Sequence, residues 1–169
     1  MAFHYGITSK NHLCQLADRV CDTIGHGTNY TAMELLVETA AAETQCGQFK
    51  DPTPNGAGYG LTQFDRIGFE DVKTRTRFDI AQKVAHELGR NVYTAKFEDL
   101  AEDPLLALIF TRLKYWLRPE IIPTALCHRA QYWKTFYNTK AGKGTTEHYI
   151  ESAQRHLPNG AIACLNTAK

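Results

Sequence analysis

Residues 31–47 read TAMELLVETAAAETQCG, and this stretch decides the fold class. Thr31 with Glu34 three positions on has the form of a capping box. The run that follows is dominated by Ala, Leu and Glu, which are strong helix formers, and Gly47 supplies a stop. The spacing predicts a helix from Thr31 to Gln45. Projected at about 100° per residue, Glu34 and Glu38 fall together with Ala41, Ala42 and Gln45 on what reads as a solvated face. Met33, Leu36, Val37 and Ala40 form the opposing apolar arc. Glu43 lands about 180° from Glu34, at the edge of that arc. A carboxyl group among apolar neighbours loses hydration in its ionised form, so its pKa rises. A carboxyl that keeps its proton near neutral pH can act as a general acid.

Working outward, Ser9 caps a helix whose apolar positions Leu13, Leu16, Ala17, Val20 and Ile24 end before Gly25-His26-Gly27. On the other side, Phe49 to Gly60 crowds Asp51, Pro52, Pro54, Asn55, Gly56, Gly58 and Gly60 together, which reads as a loop or a small irregular hairpin. Thr76 and Asp79 lead into a helix through Ile80, Val84 and Leu88 that closes at Gly89. Asp103-Pro104 is a cap followed by proline at the first helical position, opening an apolar helix through Trp116 that stops before Pro119. Pro123 starts another helix to about Tyr137, and Thr145 caps a last one through Tyr149, Ile150 and Ala153, with Pro158-Asn159-Gly160 as loop. No segment alternates as a strand does, and neither repeat nor linker divides the sequence. The expectation is one mainly α domain over residues 1–169, with a Gly/Pro-rich loop or small hairpin beside the Glu43 helix.

Composition narrows the function classes. With 169 residues and 43% apolar side chains the chain can bury a core without disulfides. Nineteen basic residues against eighteen acidic ones produce no global field to recruit nucleic acid or an anionic membrane. The longest apolar run, Leu105 to Phe110, falls far short of the roughly 20 residues of a membrane span. Met1 to Gly6 has neither the basic nor the apolar part of an export signal, so synthesis in a cytoplasm is expected. The five cysteines, Cys14, Cys21, Cys46, Cys127 and Cys164, are an odd number without CxxC spacing and read as small buried apolar residues.

Two further segments carry chemistry. In Gly58-Tyr59-Gly60-Leu61-Thr62-Gln63 the glycines let the backbone approach a flat ligand, Tyr59 offers an aromatic face and Gln63 a two-way amide. These are fittings for a carbohydrate. The run Tyr132 to Asn138 is aromatic-dense; such a stripe on a helix is core by default, and Tyr137-Asn138 at its end stands apart from it.

Glu43-Thr44, Gly60-Leu61-Thr62-Gln63 and Tyr137-Asn138, in this order between Leu35 and Ile150, resemble the lysozyme-like superfamily, within it the soluble lytic transglycosylase and goose-type lysozyme group. That group carries Glu-Ser, then G-x-x-G-L-M-Q, then a helix ending in A-x-x-Y-N. Tyr137 to Thr145 is similar to the Y-N-T-x-x-G-K-G-T ending of phage cell-wall-degrading proteins. Thr44 stands in place of the Ser and Thr62 in place of the Met, the latter making the cleft floor more polar. Ala57 holds the place of the first Gly, Lys134 that of the Ala, and Lys140 follows where Gly is common.

The resemblance implies a lysozyme-like fold and a bacteriolytic glycosidase with one essential carboxyl group. Glu43 would protonate the oxygen between N-acetylmuramic acid and N-acetylglucosamine. It would then act as base on the muramic acid 6-hydroxyl, giving a 1,6-anhydro end, or on water, giving hydrolysis. Tyr137 would hydrogen-bond Glu43, while Thr44, Gln63, Asn138 and the backbone at Tyr59 and Gly60 would grip the sugar. A two-carboxylate hydrolysis would need a partner at roughly 5–5.5 or 6.5–9.5 Å, for which Asp51 and Asp65 are the candidates. No metal or cofactor is implied. The partner would be the peptidoglycan glycan strand, without membrane insertion, met at the periplasmic wall of a bacterial host. An endolysin would reach it through a holin, a virion-associated lysin by particle delivery.

Other chemistries fit less well. His86-Glu87 lacks the second His of a zinc-protease helix, and Cys46 sits at a helix end, where the dipole disfavours a thiolate. The alternative from a different class is a non-catalytic phage structural or peptidoglycan-binding protein that keeps the same shape.

Overall fold

The structure is a computed structural model and describes residues 2–52, 56–139 and 142–165; Pro54, Asn55, Lys140 and Ala141 of the motifs above lie outside the described residues. It is mainly helical: α1 (Lys10–Ile24), α2 (Ala32–Thr44), a hairpin of β1 (Gly58–Tyr59) and β2 (Phe64–Asp65), α3 (Arg66–Arg75), α4 (Phe78–Leu88), a 3₁₀ turn (Phe97–Ala101), α5 (Pro104–Trp116), α6 (Leu126–Trp133), α7 (Thr146–His156) and α8 (Gly160–Leu165). α6 runs on into a wider π turn over Lys134–Asn138.

Three of the helix starts read from sequence are built by the caps that predict them. Ser9 Oγ accepts from the His12 amide at 3.0 Å, Asp103 Oδ1 from the Leu106 amide at 3.0 Å with Pro104 behind it, and Thr145 Oγ1 from the His148 amide at 3.1 Å. α4 closes on Gly89 in the left-handed region, at φ +64°. The hairpin begins at the end of the Phe49–Gly60 window and runs past it, pairing Gly58 with Asp65 and Tyr59 with Phe64. α3 and α8 were not expected. α3 buries only Phe69 and Val72 and is started by Asp65, whose carboxylate accepts from the Gly68 amide. α6 begins three residues after Pro123.

α2 occupies the centre, against α1, α5, α7 and α8. The expected solvated face does not exist. Ala41 and Ala42 are buried, and Glu38 is only 6% exposed. Helices α6 and α7 cover this face and bring the partners of its charge: Arg129 donates from Nε and Nη2 to the Glu38 carboxylate at 2.8 and 2.6 Å, and Tyr149 Oη donates to it at 2.8 Å. Glu34 is half-buried, with Oε2 enclosed and unpartnered. A helix buried nearly all round is a core helix rather than a surface one. The capping box does not form either, because the Thr31 hydroxyl donates to the Ile122 carbonyl instead, at 3.4 Å.

The helix ends where Gln45, Cys46 and Gly47 turn left-handed in succession, and the amides of Gln45 and Cys46 return to Ala41 and Ala40. This is a Schellman-like closure. One hydrophobic core extends from Ile7 to Ala161. Cys14, Cys21 and Cys46 are buried in it, whereas Cys127, in the first turn of α6, is exposed and Cys164 is half-buried. No helix among the described residues is long and apolar enough to cross a membrane.

Candidate active site

Glu43 stands in the last turn of α2, and its carboxylate borders a cleft of about 450 Å³. The hairpin contributes Gly58, Gln63 and Asp65 to the lining; α6 and its π turn contribute Trp133, Tyr137 and Asn138; Lys143, Gly144 and His148 come from the start of α7 and the turn before it. Asp51 completes the rim. The chain brings these groups together by clasping the hairpin against the 3₁₀ turn. Gly60 has φ +77°, and a Cβ there would run into the Leu100 carbonyl oxygen. Only glycine meets both conditions.

Burial pushes the Glu43 carboxyl up from 4.5 to about 7, against the opposing pull of the Trp133 N–H and the Lys114 charge. Trp133 Nε1 donates to Glu43 Oε1 at 3.3 Å, and among the described residues no cation lies within ion-pair distance of Glu43. Glu38, on the same helix, is also pushed up by burial, but it faces Arg129 rather than the cleft. Of these two carboxyls, the half-buried Glu43 is the one that lines the cleft.

The side chains expected to grip a ligand divide into three groups. Gln63, Tyr137 and Asn138 line the cleft with Glu43. Gln63 holds a left-handed backbone at φ +47° and donates from Nε2 to the Gly60 carbonyl at 3.0 Å. Asn138 Oδ1 accepts from Lys134 Nζ at 2.7 Å, and the same ammonium donates to the Gly142 carbonyl at 2.9 Å. Lys134 thus ties Asn138 to Gly142 at this end of the cleft.

Tyr59 and Gly60 instead line a smaller adjoining hollow of about 150 Å³, which shares Asp51, Gly58 and Gln63 with the main cleft. The Tyr59 ring is 4.7 Å from that of Phe97, so one face is already covered. Thr44 is fully buried and away from the cleft. Its hydroxyl donates to the Leu61 carbonyl at 2.6 Å and accepts from the Gly47 amide at 3.1 Å, which ties the end of α2 to the hairpin. It cannot touch a sugar from there. Thr62 is likewise fully buried, sharing a hydrogen bond with Thr111 at 2.8 Å, so it adds no polarity to the cleft floor.

The expected hydrogen bond from Tyr137 to Glu43 is not formed. The Tyr137 phenol donates to the Thr62 carbonyl at 2.7 Å. Its ring lies between those of Phe64 and Tyr115, at 5.8 and 5.5 Å. The π turn is the physical reason: the wider turn sets Tyr137 onto the hairpin and leaves Trp133, one turn earlier, to meet the carboxylate.

Trp133, Lys114, Lys143 and His148 were not anticipated. Trp133 was hidden in an aromatic stripe that is indeed core, being 1% exposed. Lys114 lies above the rings of Phe64 and Tyr137, 5.2 and 4.7 Å from their centroids, and 3.4 Å from Asp65 Oδ2. A cation inside a largely apolar helix, which also carries Arg112, was the signal. His148 Nε2 donates to the carbonyl of Ala42, next to Glu43, at 2.7 Å, which pins α7 to the end of α2.

Of the two candidate second carboxylates, both border the cleft, but Asp65 is committed to the α3 amide and to Lys114. Among the described residues the one grouping of metal-ligand type, Asp18, Asp22 and His26, is not at the cleft. No known protein family, curated protein or solved structure matches the chain. What the cleft can do is decided by its own chemistry.

Proposed function

We propose that the protein is a peptidoglycan-degrading glycosidase, cleaving the β-1,4 bond between N-acetylmuramic acid and N-acetylglucosamine with Glu43 as general acid and then base. The observation that carries this reading is the Glu43 carboxyl: desolvated, held by one indole N–H, and open to a polar groove. A carboxyl with a pKa of about 7 is half protonated at neutral pH, the condition under which it both gives and regains a proton efficiently.

In the forward step the Glu43 proton passes to the glycosidic oxygen, the C1–O bond breaks and positive charge develops at C1 of the muramic acid. The resulting carboxylate is stabilised by the Trp133 N–H and the Lys114 charge. In the second step this carboxylate takes the proton of the muramic acid 6-hydroxyl as that oxygen bonds to C1, leaving a 1,6-anhydro end. Water in place of the 6-hydroxyl would give a reducing end. The commitments of Asp65 to the α3 amide and to Lys114 count against it as the nucleophile or base of a two-carboxylate hydrolysis, for which Asp51 is the other candidate on the cleft. Gln63 and Asn138 supply amide groups suited to sugar hydroxyls and N-acetyl groups. Acting at the wall, the protein would be brought there through a holin or by a phage particle.

The test is incubation of purified protein with isolated sacculi, followed by mass spectrometry of what is released. Anhydro-ended muropeptides are expected, with or without chelator. Reducing-ended products would move the reading to hydrolysis. Binding without release would replace it with the non-catalytic wall-binding alternative.

A further inference from the structure

Glu43 lies about 17 Å along the helix from the start of α2. At that far end, the α1–α2 connection and residues 116–122 enclose a second cavity, of about 260 Å³. Arg112 of α5 lines it and is only 4% exposed. Its Nε donates to the Gly25 carbonyl at 2.9 Å, but Nη1 is buried without a partner. Among the described residues no carboxylate lies within ion-pair distance of this guanidinium.

A buried cation without a counter-charge is costly. Burial pushes the Arg112 pKa down, and what opposes it is the Cys21 sulfur, a weak acceptor, and beside it the Tyr132 phenol. That sulfur supplies no negative charge, because burial pushes the Cys21 thiol itself up to about 12. Arg129 is similarly buried, at 7% exposure, yet satisfies its charge within the chain through Glu38. Arg112 leaves the same need open beside a cavity. Trp116, Ile122 and Tyr132 give that cavity apolar walls, Arg118 adds a second positive charge, and Glu120 at the exposed rim opposes a ligand of high negative charge.

We propose that this cavity is a binding site for a small organic carboxylate, whose oxygens satisfy Arg112 and whose carbon body rests on Trp116, Ile122 and Tyr132. A guanidinium suits the two oxygens of a carboxylate, and the rim acid favours a monoanion over a phosphate dianion. The site is independent of the chemistry at Glu43.

The experiment is a titration of the full chain followed through the Nε–H resonances of its arginines. Propionate represents a free acid, N-acetylalanine a peptide carboxyl terminus, and inorganic phosphate is the comparison, all at constant ionic strength. The expected result is a saturable shift of the Arg112 resonance with at least one carboxylate, a weaker one with phosphate, and no movement at Arg129. Thermal melting should show a matching rise in Tm with the same carboxylate, absent in R112K, which keeps the charge and loses the fork. The wild-type titration stands even if R112K does not fold. No saturable shift with either carboxylate would show that the cavity holds water alone and overturn the proposal. Equal shifts at Arg112 and at exposed arginines would overturn it as general ionic binding.

Discussion

Replacing Glu43 with Gln should make the protein more stable, and only at high pH. Gln keeps the shape of the side chain and an acceptor for the Trp133 N–H, but it has no proton to lose. The folded-state pKa of Glu43 is raised, so the folded protein prefers the protonated form. Its stability is complete below the ordinary value of 4.5 and is lost as pH rises through about 7. A displacement from 4.5 to about 7, at roughly 1.4 kcal/mol per pKa unit, amounts to about 3 kcal/mol at pH 8. That is a large share of the ~5–15 kcal/mol that holds a domain folded. For a chain of this size it corresponds to about 6–12 °C in Tm. Urea unfolding at pH 4 and at pH 8 reads the difference directly. The variant should match wild type within ~0.5 kcal/mol at pH 4 and exceed it by about 3 kcal/mol at pH 8. The same difference at both pH values, or a less stable variant at pH 8, would refute the idea of a desolvated, proton-retaining Glu43.

Arg129→Met leaves the buried Glu38 with Tyr149 as its one side-chain donor among the described residues and should cost about 3–5 kcal/mol in urea unfolding. Adding Glu38→Gln should recover part of this; a cost below ~1 kcal/mol, as for an exposed pair, would contradict the burial of the pair. Trp133→Phe removes a donor that lowers the Glu43 pKa, so the alkaline limb of the pH–rate profile should move to higher pH, and a move to lower pH would contradict the assigned contact. Gly60→Ala meets both a positive φ and the Leu100 carbonyl. It should cost more than the ~1 kcal/mol of a simple glycine replacement in thermal or urea unfolding, and a neutral variant would show that the hairpin is not clasped there.

What could be read from the sequence was local chemistry. Ser9, Asp103 and Thr145 cap their helices by contacts three residues away, and such short-range geometry is carried by residue type. Glu43, read as lying at the edge of an apolar arc, is half-buried, but α2 is buried on the opposite arc as well, so the arc alone does not single it out. Glu38 was misread because its partner, Arg129, is 91 residues away and no periodicity reports it. α3 was missed because its apolar face is just Phe69 and Val72 and its cap, Asp65, resembled a loop acid. The same remoteness explains the site. Tyr137 had a carbonyl on the hairpin as its partner rather than the expected carboxylate, and a π turn, invisible in the spacing, passed the contact with Glu43 to Trp133. Thr44 follows Glu43 directly, but its hydroxyl points to the Leu61 carbonyl, joining helix to hairpin.

The central claim is that Glu43 carries the proton for glycosidic cleavage, and it meets its most direct test in the rate of muropeptide release from purified sacculi by wild type and Glu43→Gln at neutral pH. The stability measurement above shows independently whether the variant is folded. Wild type should release muropeptides, and the folded variant should still bind sacculi while releasing them ~10²–10⁴-fold more slowly, the loss expected of a general acid. Release by folded Glu43→Gln at close to the wild-type rate would contradict the account.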